Sequence, residues 1–225
     1  VQLPVTDGPW INSIVAQQQL DALDGHNYSL ASYEEGPEMQ SGGGPVGDNT
    51  LAGAIGAVDT SLYATQNGFG AQNLFLYSLG AQPFSTHTNF ANGFIPHPVW
   101  EAYQMRNNYC TGPMVLTTAN ANNPTYSDPN ITLGNPVPLI AVYTFADADV
   151  ANQADVVVIS RSLNNQTPVT LNFLGVPTGS AQLYTLTGDP RETNDNGLNI
   201  PIGSRQVAVT QSYTFTMPPG SMYIF

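Results

Sequence analysis

The sequence contains no lysine and few charged residues of any kind. Only 9% of its 225 residues are charged, whereas about 25% is typical of soluble domains. Its cationic side chains are four arginines, Arg106, Arg161, Arg191 and Arg205, and the formal net charge is −12. Because such a surface repels phosphate backbones and anionic membrane surfaces, we expect neither nucleic acid nor membrane as a partner.

The chain has a single cysteine, and long apolar runs and a recognisable signal peptide are missing. Cys110 is the only cysteine, so it has no partner for an internal disulfide, and we expect a free core thiol. No apolar run reaches the roughly 18 residues of a membrane-spanning helix. The chain begins at Val1 rather than methionine, as expected of a mature or cleaved fragment.

Metal-binding and phosphate-binding patterns are not found either. Asp147 and Asp149 lie two residues apart, but no EF-hand glycine and glutamate follow them, so a solvated turn is the expected structure. The glycine-rich stretch 41–44 lacks the lysine of a phosphate-binding loop. The sequence therefore predicts no metal and no cofactor.

Three Asn-x-Ser/Thr sequons are present, at Asn27, Asn130 and Asn165. Such sites accept N-linked glycans in secreted proteins, although an Asn- and Thr-rich chain contains some by chance. With the low charge, they favour a secreted, extracellular protein.

The first half of the chain, residues 1–112, alternates helix-period and strand-like segments. In order, we predict a helix from Pro9 to Gly25, a strand over Tyr28–Tyr33, a helix capped by Asp48, a strand over Asn73–Ser78 and a helix from Pro98. This order implies parallel strands, and two parallel strands cannot bury both faces of their sheet. The first half is therefore predicted to be an incomplete α/β unit, completed by an upstream segment or a second chain.

The second half, residues 113–225, has short strands and turns without helical periodicity. Val169, Leu171 and Phe173 alternate with polar residues, and turn signals such as Gly188-Asp189-Pro190 separate the strand-like runs. Many short strands with regular turns are typical of an antiparallel β-sandwich. The predicted fold class is thus α/β followed by all-β.

Two adjacent carboxylates, Glu34 and Glu35, directly follow the first predicted strand. In a parallel α/β barrel, the carboxyl ends of the strands line the active site. Because adjacent residues of a strand point to opposite sides, only one of the two is expected to face a pocket. Without further context, such a pair is more often a solvated surface feature.

Three segments carry a resemblance to a known group of enzymes. They are Tyr33-Glu34-Glu35-Gly36-Pro37, Leu183–Pro190 with Asn194 downstream, and Thr214–Ser221. In this order they resemble the end of a (β/α)8 glycoside hydrolase with its β-sandwich, in the large clan of retaining glycosidases that includes arabinofuranosidase, xylosidase, glucuronidase and heparanase-like families. The first segment is similar to a Tyr-Glu-Gly-Gly signature, with Glu35 in place of its first glycine.

The resemblance implies a fold and a mechanism. Residues 1–112 would be the last βα units of a TIM (β/α)8 barrel, and residues 113–225 its carboxyl-terminal sandwich. Glu34, or alternatively Glu35, would be the nucleophile of a retaining double displacement that hydrolyses O-glycosidic bonds in oligo- or polysaccharides. The acid/base glutamate would lie outside this sequence, on the amino-terminal part of the barrel or on a second chain.

Four residues are candidates for contact with a carbohydrate substrate. Tyr33, Tyr77 and Phe84 offer aromatic rings for stacking on a sugar, and His87 offers a polar ring for a hydroxyl; packing in the core is the alternative for the aromatic residues. A different function also fits the composition, namely a non-catalytic extracellular carbohydrate-binding or structural assembly protein. A two-chain enzyme produced by proteolytic cleavage is a third possibility.

Overall fold

The computed structural model of the chain describes residues 4–37, 47, 49–74, 85–88, 90–117, 119, 122–127, 136–147, 153–173 and 179–225. Within these residues the fold is mixed α/β. The helices are α1 (Pro4–Leu23), α2 (Leu51–Gln66) and α3 (Pro98–Tyr109). The strands are β1 (Leu30–Glu35), β2 (Phe69–Leu74), β3 (Met114–Val115), β4 (Thr125–Tyr126), β5 (Val137–Pro138), β6 (Ile140–Ala146), β7 (Ala154–Ser160), β8 (Thr167–Asn172), β9 (Gly179–Leu186), β10 (Gly203–Val209), β11 (Ser212–Met217) and β12 (Met222–Ile224).

The first half has the predicted helix–strand order, and β1 pairs with β2 in parallel. Pro98 begins α3, as predicted. Thr50, rather than the predicted Asp48, caps α2, because its hydroxyl accepts the Gly53 N–H at 3.2 Å. The second strand was predicted over Asn73–Ser78 but lies at Phe69–Leu74, and residues 75–84 are outside the described part.

The described strands of the second half pair antiparallel, as the alternation and the turn signals predict. Six strands form one sheet in the order β10-β9-β12-β7-β6-β3, and β11 pairs with β8 in a two-stranded ribbon. Val169 and Leu171 of the ribbon belong to one hydrophobic cluster with residues of the large sheet. These are Val158 of β7, Leu183 of β9 and Phe225, which follows β12. The strict alternation of buried and exposed residues along β8 is what places one face of the ribbon in this cluster.

A second hydrophobic cluster joins the two halves. Leu51 and Leu62 of α2 and Met105 of α3 pack with Val157 of β7 and Leu186 of β9, and all five are almost completely buried. Consequently, the last two helices of the first half and one face of the six-stranded sheet have a common core.

A buried polar group lies at the same junction. Asp59 of α2 is fully buried and accepts hydrogen bonds from Arg161 Nε at 2.6 Å, Arg161 Nη2 at 3.0 Å and Tyr143 Oη at 2.6 Å. Burial acts to lower the pKa of Arg161, but the neighbouring Asp59 carboxylate more than offsets it, so the pKa is raised. The guanidinium and carboxylate therefore form a bidentate ion pair away from solvent.

Asp155 of β7 is expected to make stability depend on pH. Burial, and secondarily the Asp147 carboxylate, raise the pKa of Asp155 from 3.8 to about 6. Because the folded state then holds this proton more tightly than the unfolded state, the contribution of Asp155 to stability is greatest below about pH 4 and is lost as the pH rises through 6.

The test is the Asp155→Asn variant, which cannot ionise. We expect it to be more stable than the parent protein above about pH 6 and to lose this advantage near pH 4, measured by urea unfolding at both pH values. Asp24→Asn, at an exposed position, is the matched control for loss of one negative charge. A constant difference at all pH values would contradict the assignment.

Candidate functional site

The carboxyl ends of β1 and β2 mark the candidate site. The strands are parallel and Glu35 pairs with Leu74, so both strands end at the same edge of their sheet, which we call the carboxyl edge. Residues 47, 49 and 50 precede the first turn of α2, and residues 85–88 and 90–97 precede the first turn of α3. In parallel α/β sheets, side chains at this edge form the ligand site.

The pairing of β1 with β2 is irregular at the glutamate pair. Ser32 pairs with Gln72 and Glu35 with Leu74, so Tyr33 and Glu34 together lie opposite Asn73. Asn73 is exposed, and its Nδ2 donates to the Ser32 carbonyl oxygen at 3.0 Å. A two-against-one pairing of this kind is an irregularity of the β-bulge type, and β-bulges are over-represented next to active sites.

The four residues predicted to contact a carbohydrate lie in different surroundings. The side chain of Tyr33 is 83% exposed at the carboxyl edge. Tyr77 and Phe84 lie outside the described residues, as does the sequon residue Asn130. His87 lies in the segment after β2, but it is buried.

The environment of His87 is aromatic and polar at once. Its ring stacks on Phe94, with centroids 4.6 Å apart, and lies 4.9 Å from the Trp100 ring. Its Nδ1 is 2.9 Å from the Thr86 hydroxyl. Burial, and secondarily the nearby His97, lower the pKa of His87, which favours the neutral ring with one N–H donor and one acceptor nitrogen.

The second half contributes a turn to this edge that the sequence patterns did not reveal. The Pro190 and Glu192 carbonyl oxygens accept the N–H groups of Ala52 and Leu51 at 2.9 and 3.0 Å. Asn194 Nδ2 donates to the Pro96 carbonyl oxygen at 3.0 Å. The segment Asn194-Asp195-Asn196-Gly197 has the composition of a solvated turn, and nothing local indicates its distant partners.

The described residues hold neither a candidate metal centre nor a candidate membrane-spanning helix. Within them, no three His, Cys, Asp or Glu side chains are grouped as a metal site would require. No described helix has the length and apolar character needed to cross a membrane.

Several solved structures that superpose on this chain are glycoside hydrolases. The α-L-arabinofuranosidase from Thermotoga maritima superposes with a TM-score of 0.77 over 98% of this chain at 17% identity. The GH51 arabinofuranosidases from Thermotoga petrophila RKU-1 and Xanthomonas axonopodis pv. citri give TM-scores of 0.77 and 0.71 over 96% and 97% of this chain, at 17% and 13% identity. The chain has the fold of a portion of the GH51 arabinofuranosidases.

The superposition covers only part of each solved structure. The chain spans 47% of the length of each of these three structures, so it corresponds to about half of the arabinofuranosidase fold, consistent with its carboxyl-terminal portion. No protein-family model and no curated protein matches the sequence. The predicted resemblance to this group of glycosidases is confirmed at the level of the fold.

Proposed function

We propose that this chain is the carboxyl-terminal part of a secreted, retaining glycoside hydrolase that cleaves O-glycosidic bonds in oligo- or polysaccharides, with arabinofuranosides as the substrate class. The observation that carries the proposal is the superposition of 98% of the chain on the Thermotoga maritima α-L-arabinofuranosidase. The substrate class comes from the activity for which these structures are named.

The proposal includes the finer architecture. Residues 1–112 are the last βα units of a (β/α)8 barrel, and residues 113–225 are a β-sandwich. Among the described residues, β1 pairs only with β2, so each strand has one edge without a partner. A parallel sheet is normally covered on both faces and continued at both edges, which supports completion by the amino-terminal part of the barrel.

Exposed apolar side chains on α1 also support contact with the amino-terminal part of the barrel. Trp10, Leu20 and Leu23 are 65%, 57% and 84% exposed, although α1 packs on α2 through Ile11 and its neighbours. A cavity of about 470 Å³ also lies between β2, α2 and α3, with Phe69, Leu74 and Tyr103 in its lining. An upstream segment or second chain that supplies the next strands and helix would cover these surfaces.

The pairing of β1 supports Glu34 as the nucleophile in preference to Glu35. Glu35 lies opposite Leu74, which packs against the core of the two helices. Glu34 shares the bulge opposite Asn73 with the exposed Tyr33. The preference for Glu34 therefore rests on its position in the strand pairing, next to the exposed Tyr33.

The proposed reaction is a double displacement. The Glu34 carboxylate attacks the anomeric carbon, and the bond to the leaving oxygen breaks as an acid/base glutamate about 5 Å away protonates that oxygen. The same group then takes a proton from water, which displaces Glu34 from the glycosyl–enzyme and restores the carboxylate. The acid/base glutamate belongs to the upstream part of the barrel.

The substrate contacts and the location of the protein are part of the proposal. Tyr33, with its exposed ring, stacks on a sugar, and Tyr77, Phe84 and His87 complete the subsite. Glycans at Asn27, Asn130 and Asn165 accompany secretion, and Asn27 and Asn165 are exposed.

The partner surface can be tested by substitution on α1. In native protein, we expect this chain to co-purify with the upstream segment, and Leu20→Glu with Leu23→Glu to weaken that association at least about tenfold, because each buries a charge in an apolar contact. Leu116→Glu, at an 83% exposed position of the second half, is the matched control. The association is measured by size-exclusion chromatography and sedimentation.

A stable, monodisperse species of 24.0 kDa without any partner would contradict the proposed completion of the barrel. The non-catalytic carbohydrate-binding or structural function would then be the better explanation of this chain.

A further inference from the structure

The turn Thr193–Asn199 of the second half lies against both loops that leave the carboxyl edge of the first half. Asn49, next to the start of α2, donates from Nδ2 to both Asp195 carboxylate oxygens at 2.8 and 2.9 Å. On the other loop, His97 Nε2 is 3.4 Å from Asp195 Oδ1. One carboxylate thus lies against both loops, and its contact with His97 is an ion pair when both ring nitrogens carry hydrogen.

Asn194 makes a second connection. Its side chain is fully buried, and its Nδ2 donates to the Pro96 carbonyl oxygen at 3.0 Å. Its Oδ1 accepts the N–H groups of Asn199 and Ile200, both at 3.0 Å. The amide is therefore fixed by the turn at one end and holds Pro96 at the other.

Hydrogen bonds within the loop before α3 lie close to Pro96, the residue that Asn194 contacts. His97 N–H donates to the Thr86 carbonyl oxygen at 2.8 Å, and Thr88 N–H donates to the Ile95 carbonyl oxygen at 2.9 Å. His97 Nδ1 lies 2.6 Å from the Ser85 carbonyl oxygen, and because a carbonyl oxygen can only accept, this nitrogen is the donor. A shift of Pro96-His97 would therefore move residues 85–88, including His87.

The backbone of this loop also needs external support. Phe94, whose ring stacks on His87, has a φ of +54°. A bulky residue adopts this left-handed conformation rarely, and it persists only where surrounding contacts hold it.

We propose that Asn194 and Asp195 are positioning residues, by which the second half fixes the substrate-binding loop 85–97 at the carboxyl edge. The role in substrate binding rests on the proposed function, whereas the positioning itself is a property of this chain. The second half is then a functional part of the site rather than a separate sugar-binding module.

The first measurement is hydrogen–deuterium exchange on the whole 225-residue chain. In Asp195→Asn we expect the amides of Thr88 and His97 to exchange at least about tenfold faster, because the Asn49 amide loses its charged acceptor and no carboxylate then faces His97 Nε2. Amides of β6 and β7 should not change. Asp24→Asn is the control for charge, and Asp195→Glu, which keeps the carboxylate, should restore part of the protection.

The second measurement uses the native protein that contains this chain together with the upstream segment. Asp195→Asn should raise KM about fivefold with kcat nearly unchanged, because the loop binds substrate but does not attack it. Asn194→Asp, which turns the donor toward Pro96 into an acceptor, should act in the same direction. If Asn194→Asp does not fold, the Asp195→Asn variant alone tests the proposal. Asp195 is partly exposed, so its substitution should leave the fold intact.

Unchanged exchange in residues 85–97, or a fall in kcat without a change in KM, would overturn the proposal. A protein without any glycosidase activity would instead contradict the proposed function, and the exchange data would still decide whether the turn holds the loop.

Discussion

Glu34→Gln is expected to reduce glycosidase activity of the completed protein by at least about a thousandfold, because an amide cannot form the glycosyl–enzyme. Glu35→Gln should retain most of the activity, since Glu35 pairs with the core-facing Leu74 rather than with the exposed Asn73. The measurement is kcat on an aryl α-L-arabinofuranoside, with thermal unfolding of both variants as the test of correct folding.

A chemical rescue distinguishes the nucleophile from a residue that only binds substrate. In Glu34→Ala, added azide should restore cleavage of an activated substrate, because the small anion attacks from the side that the carboxylate occupied. The product should be a glycosyl azide with inverted configuration, since only one displacement occurs. Rescue in Glu35→Ala but not in Glu34→Ala would reverse the assignment.

Asp59→Ala is expected to lower the free energy of unfolding by about 3–5 kcal/mol, because it leaves the Arg161 guanidinium buried without its carboxylate. The Arg161 side chain is 8% exposed and that of Asp59 fully buried. Tyr143→Phe, which removes one hydrogen bond to the same carboxylate, should lower it by about 1 kcal/mol. Both values are measured by urea unfolding at constant protein concentration.

Two further variants distinguish the contribution of the Asp59–Arg161 ion pair to stability from the general effect of removing a carboxylate. Asp21→Ala removes a carboxylate of α1 that accepts hydrogen bonds from Tyr28 and Gln17 at the protein surface, and it should cost little because surface pairs contribute little. The double variant Asp59→Leu with Arg161→Met removes both charges and should recover much of the loss. If Asp59→Ala is no more harmful than Asp21→Ala, the pair does not hold α2 against the sheet.

The elements that the sequence predicted correctly are those with a strong local period. The spacing of Leu51, Ile55, Val58 and Leu62 predicted α2, and the alternation around Val169 and Leu171 predicted β8. Pro98 predicted the start of α3, because proline lacks the N–H that the first helical turn leaves unpaired. Strands β4 and β5, with two residues each, are too short for a period to be detected and were missed.

Errors occurred where distant contacts compete with local preference. Asp48 and Thr50 are both suitable caps, but α2 begins at Leu51, where the Pro190 and Glu192 carbonyl oxygens meet the first N–H groups of the helix. The second strand was predicted four residues too late because Leu74, Leu76 and Tyr77 form the more apolar run. In the structure Phe69–Leu74 is the segment that pairs with β1.

Three features can be predicted from residues that are close together in the chain. They are the alternation of helices and strands, the change to an all-strand second half, and the glutamate pair at the end of a strand. The side-chain partners and the strand register depend on contacts between distant parts of the chain. The Asp59–Arg161 pair joins residues 102 positions apart, and the Asn194–Pro96 contact joins residues 98 apart. The bulge that sets Glu34 opposite Asn73 likewise depends on the register between two strands. Side-chain partners and strand register follow from the packing of the whole chain, so no local pattern specifies them.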